Sequence, residues 1–230
     1  NELIFSSEVK SIIRLKKKKV RLNIDALSSY LSFRYPILND SFVEGVNSLS
    51  PGNYIEFCKD SFSIKEYWNL SKKINKQNID KGEKYYIKKI SSLLKSSVKY
   101  RMIADVPIGS FLSGGVDSSI ITGIMADINK TKKVKTFTIG FNEKLFSELK
   151  YAKKVSEIFE TDHKEVVINS DDYMSTLENL IKLKGAPLSV PNEVPLYLMS
   201  KELKKYITVV LSGEGADEIF GGYGRIFRSP

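Results

Sequence analysis

The sequence predicts an α/β fold whose longer second part is a parallel sheet with helices on both faces. Three observations carry this. Short apolar runs fall at residues 106–112, 134–141, 165–168 and 206–211. Between them apolar residues recur at helical spacing, and a chain that alternates strand with helix in this way buries a parallel sheet between helices. The third observation is a change of texture: residues 71–82, SKKINKQNIDKG, are polar, rich in lysine and asparagine, and without apolar period, as a linker is. The chain accordingly divides into residues 1–70, a linker at 71–82 and a second unit over 83–230.

Each element follows in order. Residues 3–6 look like a strand, and residues 9–15 carry a short helical pattern. Residues 25–33 predict a second helix with Asn23 or Asp25 as its cap. Residues 46–62 read as β structure with a reversal, signalled by Pro51-Gly52 ahead of the alternating residues 54–57. After the linker, Tyr85, Tyr86, Ile90, Leu93, Leu94 and Val98 predict a helix. The run at 106–112 is the first parallel strand, broken by a turn at 113–115. Ile120, Ile121, Ile124, Met125 and Ile128 then form the apolar stripe of the next helix. The remaining three strands are separated by helices predicted over 148–159, 173–183 and 194–205.

A hydrophobic fraction of 42% with 27% charged residues excludes wholesale disorder. The net charge of +9 raises nucleic acid as a partner, yet Arg14, Lys16, Lys17, Lys18, Lys19 and Arg21 gather six basic residues in one run. A nucleic-acid face spreads Lys and Arg among stacking aromatics, so the run reads as a solvated loop and no nucleic-acid partner is expected. The lone cysteine, Cys58, rules out an intramolecular disulfide, a CxxC pair and a cysteine-rich zinc site, and fits a reducing, cytoplasmic compartment. Its alternating neighbours make it a buried structural thiol. The single histidine, His163, cannot build a histidine-rich metal site and is expected in a loop at a strand entrance. No stretch reaches the roughly 20 apolar residues that span a bilayer, so no membrane partner is expected. Asn1 at the start and the uncapped end at Pro230 point to a piece of a longer protein.

Two strand exits are unusual. The first is SGGVDSS, residues 113–119. Gly114 and Gly115 let the backbone approach an oxyanion, the following helix offers free N–H groups, and Ser113, Ser118 and Ser119 add hydroxyls, which together make a phosphate cradle. It is not the Walker loop, because Asp117 stands before the hydroxyls where that loop has lysine. A carboxylate beside phosphate asks for a cation, and Asp117 therefore points to Mg²⁺; the plainer alternative is Asp117 as a helix N-cap. The second exit is SGEGADEIFGGY, residues 212–223, with Glu214, Asp217 and Glu218 inside five residues. Asp217 is the natural second Mg²⁺ ligand and Glu214 is left for general-base or electrostatic work, against the alternative of an acidic solvated turn.

Together these two motifs resemble the synthetase domain of the glutamine-dependent asparagine synthetases, within the ATP-pyrophosphatase superfamily. LIFSSEVKSIIRL at residues 3–15 and VNSLSPGNY at 46–54 resemble the closing part of that family's glutaminase domain. The resemblance implies an ATP-pyrophosphatase (HUP-like) sheet over 83–230, preceded at 1–70 by the C-terminal part of an α+β, Ntn-type class II glutaminase. It implies ATP gripped by residues 113–119 and lined by Leu112, Ile139, Ser212 and Gly213, with Asp117 and Asp217 on Mg²⁺ and Glu214 as the catalytic residue. The implied reaction joins aspartate to ATP as β-aspartyl-AMP, releases pyrophosphate, and lets ammonia from glutamine displace AMP; a homodimer is admitted. The family's N-terminal cysteine nucleophile and its catalytic lysine have no counterpart among these residues. Three other readings stay open: a β-lactam synthetase-like enzyme on another carboxylate, a tRNA-modifying ATP-pyrophosphatase, whose thiolating types need paired cysteines, and a silent ATP-binding module.

Overall fold

The computed structural model describes residues 3–15, 19–37, 39–59, 61–74, 79–141 and 148–224. Lys16, Lys17 and Lys18 of the basic run, residues 75–78 of the expected linker, and the chain end at 225–230 lie outside the described residues. The chain packs as two compact units, residues 1–80 with 179–191, and residues 81–178 with 192–230.

The first unit contains α1 (Val9–Leu15), α2 (Ile24–Phe33), an antiparallel hairpin of β1 (Asn53–Cys58) and β2 (Ser61–Glu66), and the one-turn α3 (Leu70–Lys73). Asn23 caps α2, its side chain accepting from the N–H groups of Asp25 and Ala26, which leaves Asp25 in the first turn to meet the helix dipole. Tyr30 on α2 meets Phe42 edge-on at 5.6 Å and donates its hydroxyl to the Leu188 carbonyl at 2.7 Å. Pro51-Gly52 forms the turn expected ahead of the alternating strand, and the chain reverses after Cys58, where Lys59 takes φ 52°. Two sequence expectations are corrected here. Residues 3–6 form no strand. Cys58 is exposed, not buried, because both strands of this two-stranded hairpin leave their side chains open to solvent.

The second unit is a four-stranded parallel sheet in the order β5-β4-β3-β6, where β3 is Ile108–Phe111, β4 Lys135–Phe141, β5 Asp162–Ile168 and β6 Val209–Leu211. Two crossovers, through α5 (Val116–Ile128) and α6 (Leu149–Ile158), carry the chain from β3 to β4 to β5. The chain then returns through α7 (Ser170–Lys184) and α8 (Glu193–Leu203) to lay β6 on the other side of β3. Right-handed crossovers in opposite directions place helices on opposite faces. Phe137 of β4 packs with Met199, Leu203 and Ile207 on the α8 face. On the other face Ser110 of β3 meets Thr122 of α5, and Gly140 of β4 lies against Leu149 of α6. Helix α4 (Glu83–Arg101) joins that side, burying Val98 against Met125 of α5 and Val134.

The two faces differ in chemistry. The α8 side is hydrocarbon, whereas the α5–α6 side buries Ser110, Thr122, Thr136, Thr138 and Ser156. The expected stripe of α5 is met in part, since Ile121, Ile124 and Met125 pack with Val98 and Val134. Its buried residues are Ser118, Thr122 and Met125, while Ile120 and Ile128 are exposed. Strand β5 also begins earlier than its apolar run, at Asp162, because its backbone pairs with β4 from Lys135 onward. His163 is therefore a strand residue opposite Thr136, not a loop residue.

The His163 ring bonds through Nδ1 to the Thr136 hydroxyl at 2.9 Å, which also pairs with the Thr161 hydroxyl at 2.8 Å; Nε2 is buried without a hydrogen-bond partner among the described residues. Burial holds the imidazole below its usual 6.5, against a smaller opposing pull from Glu165. A histidine whose folded value is depressed leaves stability intact above pH 6.5. As pH falls below it, the unfolded chain binds the proton first and stability drops, by at most about 1.4 kcal/mol per pH unit for one proton. Urea titrations between pH 7.5 and 5.5 are expected to show this loss, and His163→Gln is expected to flatten it; an unchanged slope in the variant would assign the loss to other groups.

Candidate functional site

In open parallel sheets ligands sit beyond the carboxyl ends of the strands, where the chain order reverses. Here that place lies between β3 and β6, adjacent strands of which β3 opens the crossovers toward β4 and β5 and β6 receives the return connection. Both unusual loops leave the sheet there.

The first loop starts at Leu112, whose side chain is fully buried. Its N–H donates to the Phe137 carbonyl at 2.9 Å, and its carbonyl accepts from the Thr138 hydroxyl. Gly114 takes φ 83° and lies on α6: a Cβ there would be 2.5 Å from the Tyr151 Cβ and 2.6 Å from the Ala152 nitrogen. Gly115 is the N-cap of α5, with no side-chain bond capping the helix. Asp117 is thus the second helical residue and not the cap, which sets aside the plainer reading of its carboxylate. The serines shape the loop from within. Ser118 Oγ lies 2.9 Å from Ser113 Oγ and accepts from the Ser113 N–H at 3.2 Å. Ser113 Oγ accepts from the Gly115 N–H at 3.2 Å, and Ser119 Oγ donates to the Gly115 carbonyl at 2.6 Å. The first helical bond is Ser119 N–H to Gly115 carbonyl at 3.1 Å. The N–H groups of Val116, Asp117 and Ser118 precede it and have no carbonyl of an earlier turn to meet, the ordinary condition of a helix start and the basis of its affinity for anions.

The second loop runs from β6 through Ser212, Gly213, Glu214 and Gly215 into α9 (Ala216–Phe220). Gly213 brings the two loops together: a Cβ there would lie 2.8 Å from the Asp117 Cβ and 3.0 Å from the Ser118 nitrogen. Gly215 takes φ 91°, and Gly221 and Gly222 donate their N–H groups to the Asp217 carbonyl at 2.9 and 3.1 Å. Tyr223 donates its hydroxyl to Glu218 at 2.5 Å. Glu214 and Asp117 are exposed and Asp217 is half-buried.

The structure therefore gathers residues 113–119 with Ser212 and Gly213 at one strand-end crevice. Ile139 stands on β4 beside β3 and packs against the Phe137 cluster on the α8 face. His163 is at the amino end of the sheet, away from the crevice. Among the described residues no group of three or more His, Cys, Asp or Glu could hold a metal ion. Asp117 and Asp217 put one carboxylate on each loop, and Mg²⁺ is a cation that takes few protein ligands and completes its shell with phosphate oxygens and water. Thr138 escaped the sequence reading; its one signal is a hydroxyl residue at an inward position of KTFTIGF.

A doubly wound parallel sheet with two glycine-rich loops at its switch point belongs to the class of α/β domains that bind ligands at their strand ends. Comparison with known sequences is more specific. The Asparagine synthase family profile matches residues 89–230 and the Glutamine amidotransferase domain profile matches residues 1–68. The chain belongs to the asparagine synthase family. It is 34% identical to asparagine synthetase [glutamine-hydrolyzing] 1 of Bacillus subtilis over all of this chain and 35% of that protein. It is 31% identical to the third such synthetase of the same organism, over 97% of this chain and 38% of that protein. The chain thus spans little more than a third of the length of these relatives. Among solved structures, a glutamine-dependent NAD⁺ synthetase from Acinetobacter baumannii superposes with a TM-score of 0.45 at 20% identity, covering 72% of this chain and 32% of that one.

Gly114 and Gly215 both hold positive φ, but only Gly114 has no room for a Cβ. A side chain in the left-handed region costs about 1–2 kcal/mol, and overpacking adds about 1–3 kcal/mol. Gly114→Ala is expected to lower stability in urea by clearly more than Gly215→Ala; equal losses would mean that the contact with α6 does not constrain the loop.

Proposed function

We propose that this chain carries the ATP site of a glutamine-dependent asparagine synthetase. The reaction is amidation of aspartate through β-aspartyl-AMP, with release of AMP and pyrophosphate and with ammonia derived from glutamine. The observation that carries the reading is the approach of Gly213 to Asp117 and Ser118, which brings a helix start with free N–H groups against a second, acidic loop. The family profiles and the names of the relatives support it.

In this reading the N–H groups at the start of α5 hold the pyrophosphate moiety of ATP, and the three serines keep the loop in shape to do so. Ile139, Ser212 and Gly213 would line the nucleotide, and Leu112, buried as a whole residue, backs the loop from within the core. Asp117 and Asp217 would hold Mg²⁺, which when bound offsets phosphate charge and polarises the phosphoryl oxygens. The aspartate carboxylate attacks the α-phosphorus in line with the leaving pyrophosphate. No enzyme nucleophile is needed, because positioning and charge neutralisation supply most of the acceleration. Glu214, exposed beside Gly213, takes a proton as ammonia attacks the acyl carbon and AMP departs. Residues 1–70 are the closing part of the glutaminase and residues 71–82 its linker to the ATP unit. Cys58, interior to the chain and on an exposed hairpin, is not the glutaminase nucleophile. No helix among the described residues is long and apolar enough to cross a membrane; the proposed compartment is the cytoplasm, which a single cysteine with no disulfide partner suits.

The full-length protein supplied with Mg-ATP, aspartate and ammonia is expected to form AMP, pyrophosphate and asparagine in equal amounts, with nothing released when aspartate is omitted. Asp117→Asn is expected to reduce pyrophosphate release and to abolish the rise in melting temperature caused by Mg-ATP. Glu214→Gln is expected to lower kcat by about 10²–10⁴-fold, the usual range for a general acid or base. ADP and phosphate as products would sink the reading; AMP formed only with another carboxylate would keep the scaffold and change the substrate.

A further inference from the structure

One peptide group joins the sheet to the proposed nucleotide loop, and it is held at both ends. Its carbonyl, on Leu112, accepts from the Thr138 hydroxyl. Its N–H, on Ser113, donates to Ser118 Oγ at 3.2 Å. A trans peptide is planar, with C=O and N–H pointing opposite ways. The two bonds therefore fix the plane of this group between β4 on one side and the first turn of α5 on the other. Thr138 is 3% exposed and Leu112 1%, so the carbonyl's bond is shielded from bulk water, while the N–H bond to Ser118 is partly buried. Beyond this peptide, the loop's hydrogen bonds among the described residues run within itself and to α5, through the Ser113, Ser118 and Gly115 contacts.

We propose that Thr138 is a positioning residue for nucleotide binding: its hydroxyl sets the plane of the 112–113 peptide and thereby the aim of the N–H groups at the start of α5. The inference rests on the nucleotide reading of that loop. A β-branched residue suits a buried strand position by shape alone, and valine would fill the same space. What valine lacks is the donor. It would leave the Leu112 carbonyl buried and unsatisfied and free the 112–113 peptide plane to rotate, with the Leu112 N–H bond to the Phe137 carbonyl as the remaining tie to β4. Because ATP meets these N–H groups in the ground state as well as in the transition state, the loss is of uniform binding, which appears in KM and not in kcat.

The test is steady-state pyrophosphate release by the full-length protein, with ATP and aspartate varied in turn. Thr138→Val is expected to raise KM for ATP about tenfold while kcat and KM for aspartate stay within about twofold. Thr138→Ser, which restores the donor, is expected to bring KM back to within about twofold of wild type. Thr122→Val is the control: it removes the buried Thr122–Ser110 hydrogen bond, 3.1 Å long, from the same hydroxyl-rich face without touching the 112–113 peptide. It is expected to lower the melting temperature but leave KM for ATP unchanged. An unchanged KM in Thr138→Val, or an equal rise in Thr122→Val, overturns the inference while leaving the nucleotide reading in place. If Thr138→Val does not fold, the same comparison is made between Thr138→Ala and Thr138→Ser at lower temperature. A wild-type protein that releases no pyrophosphate overturns the nucleotide reading and this inference with it.

Discussion

The second unit depends on one close approach, that of residue 213 to the first turn of α5. Hydrogen is the only side chain that fits, since a methyl group would stand 2.8 Å from the Asp117 Cβ and 3.0 Å from a main-chain nitrogen. The approach follows from topology. β3 and β6 are hydrogen-bonded neighbours in parallel register, so their carboxyl ends emerge side by side. Two loops distant in sequence are then forced into one crevice. A sheet with another strand order would carry the same two motifs and hold them apart.

The sheet that makes this possible has two unlike surfaces. On the α8 side Phe137, Met199, Leu203 and Ile207 provide hydrophobic attachment, which is non-directional. On the α5–α6 side buried hydroxyls meet one another and main-chain carbonyls, as in Thr136 with Thr161 and His163, Thr161 with Ser156, and Thr122 with Ser110. Hydrogen bonds of this kind are directional and costly to leave unmade. The hydrocarbon face secures the sheet, and the hydroxyl face orients what stands at its end.

This division also explains what the sequence disclosed. Helix α4 was legible because its stripe is apolar, and the two loops were legible because glycine, serine and carboxylate after a strand have few other uses. The buried side of α5 was not, since periodicity counts apolar residues and the residues buried there include Ser118 and Thr122. Strand β5 was read too short because Asp162, His163 and Lys164 enter it through main-chain pairing with β4, which composition does not record. Cys58 was misplaced for a related reason. Alternation shows that a segment is a strand, but not that either of its faces is covered. Thr138 was passed over because a threonine in a strand is unremarkable until its hydroxyl is seen to meet a particular carbonyl.

The hairpin in the first unit has a practical side. Tyr54, Ile55, Phe57, Phe62 and Ile64 are all exposed on it, and an isolated pair of strands has two unsatisfied edges. Its ion pairs among the described residues are Lys65 with Glu56 across the strands and Glu66 with Lys72 at its end. Apolar strands with open edges accept further strands or a covering element, so the two faces of β1 and β2 are where additional chain would find backbone partners and apolar contact. For these 230 residues handled by themselves, the aggregation hazard sits in β1 and β2, two short strands far in sequence from the two glycine-rich loops.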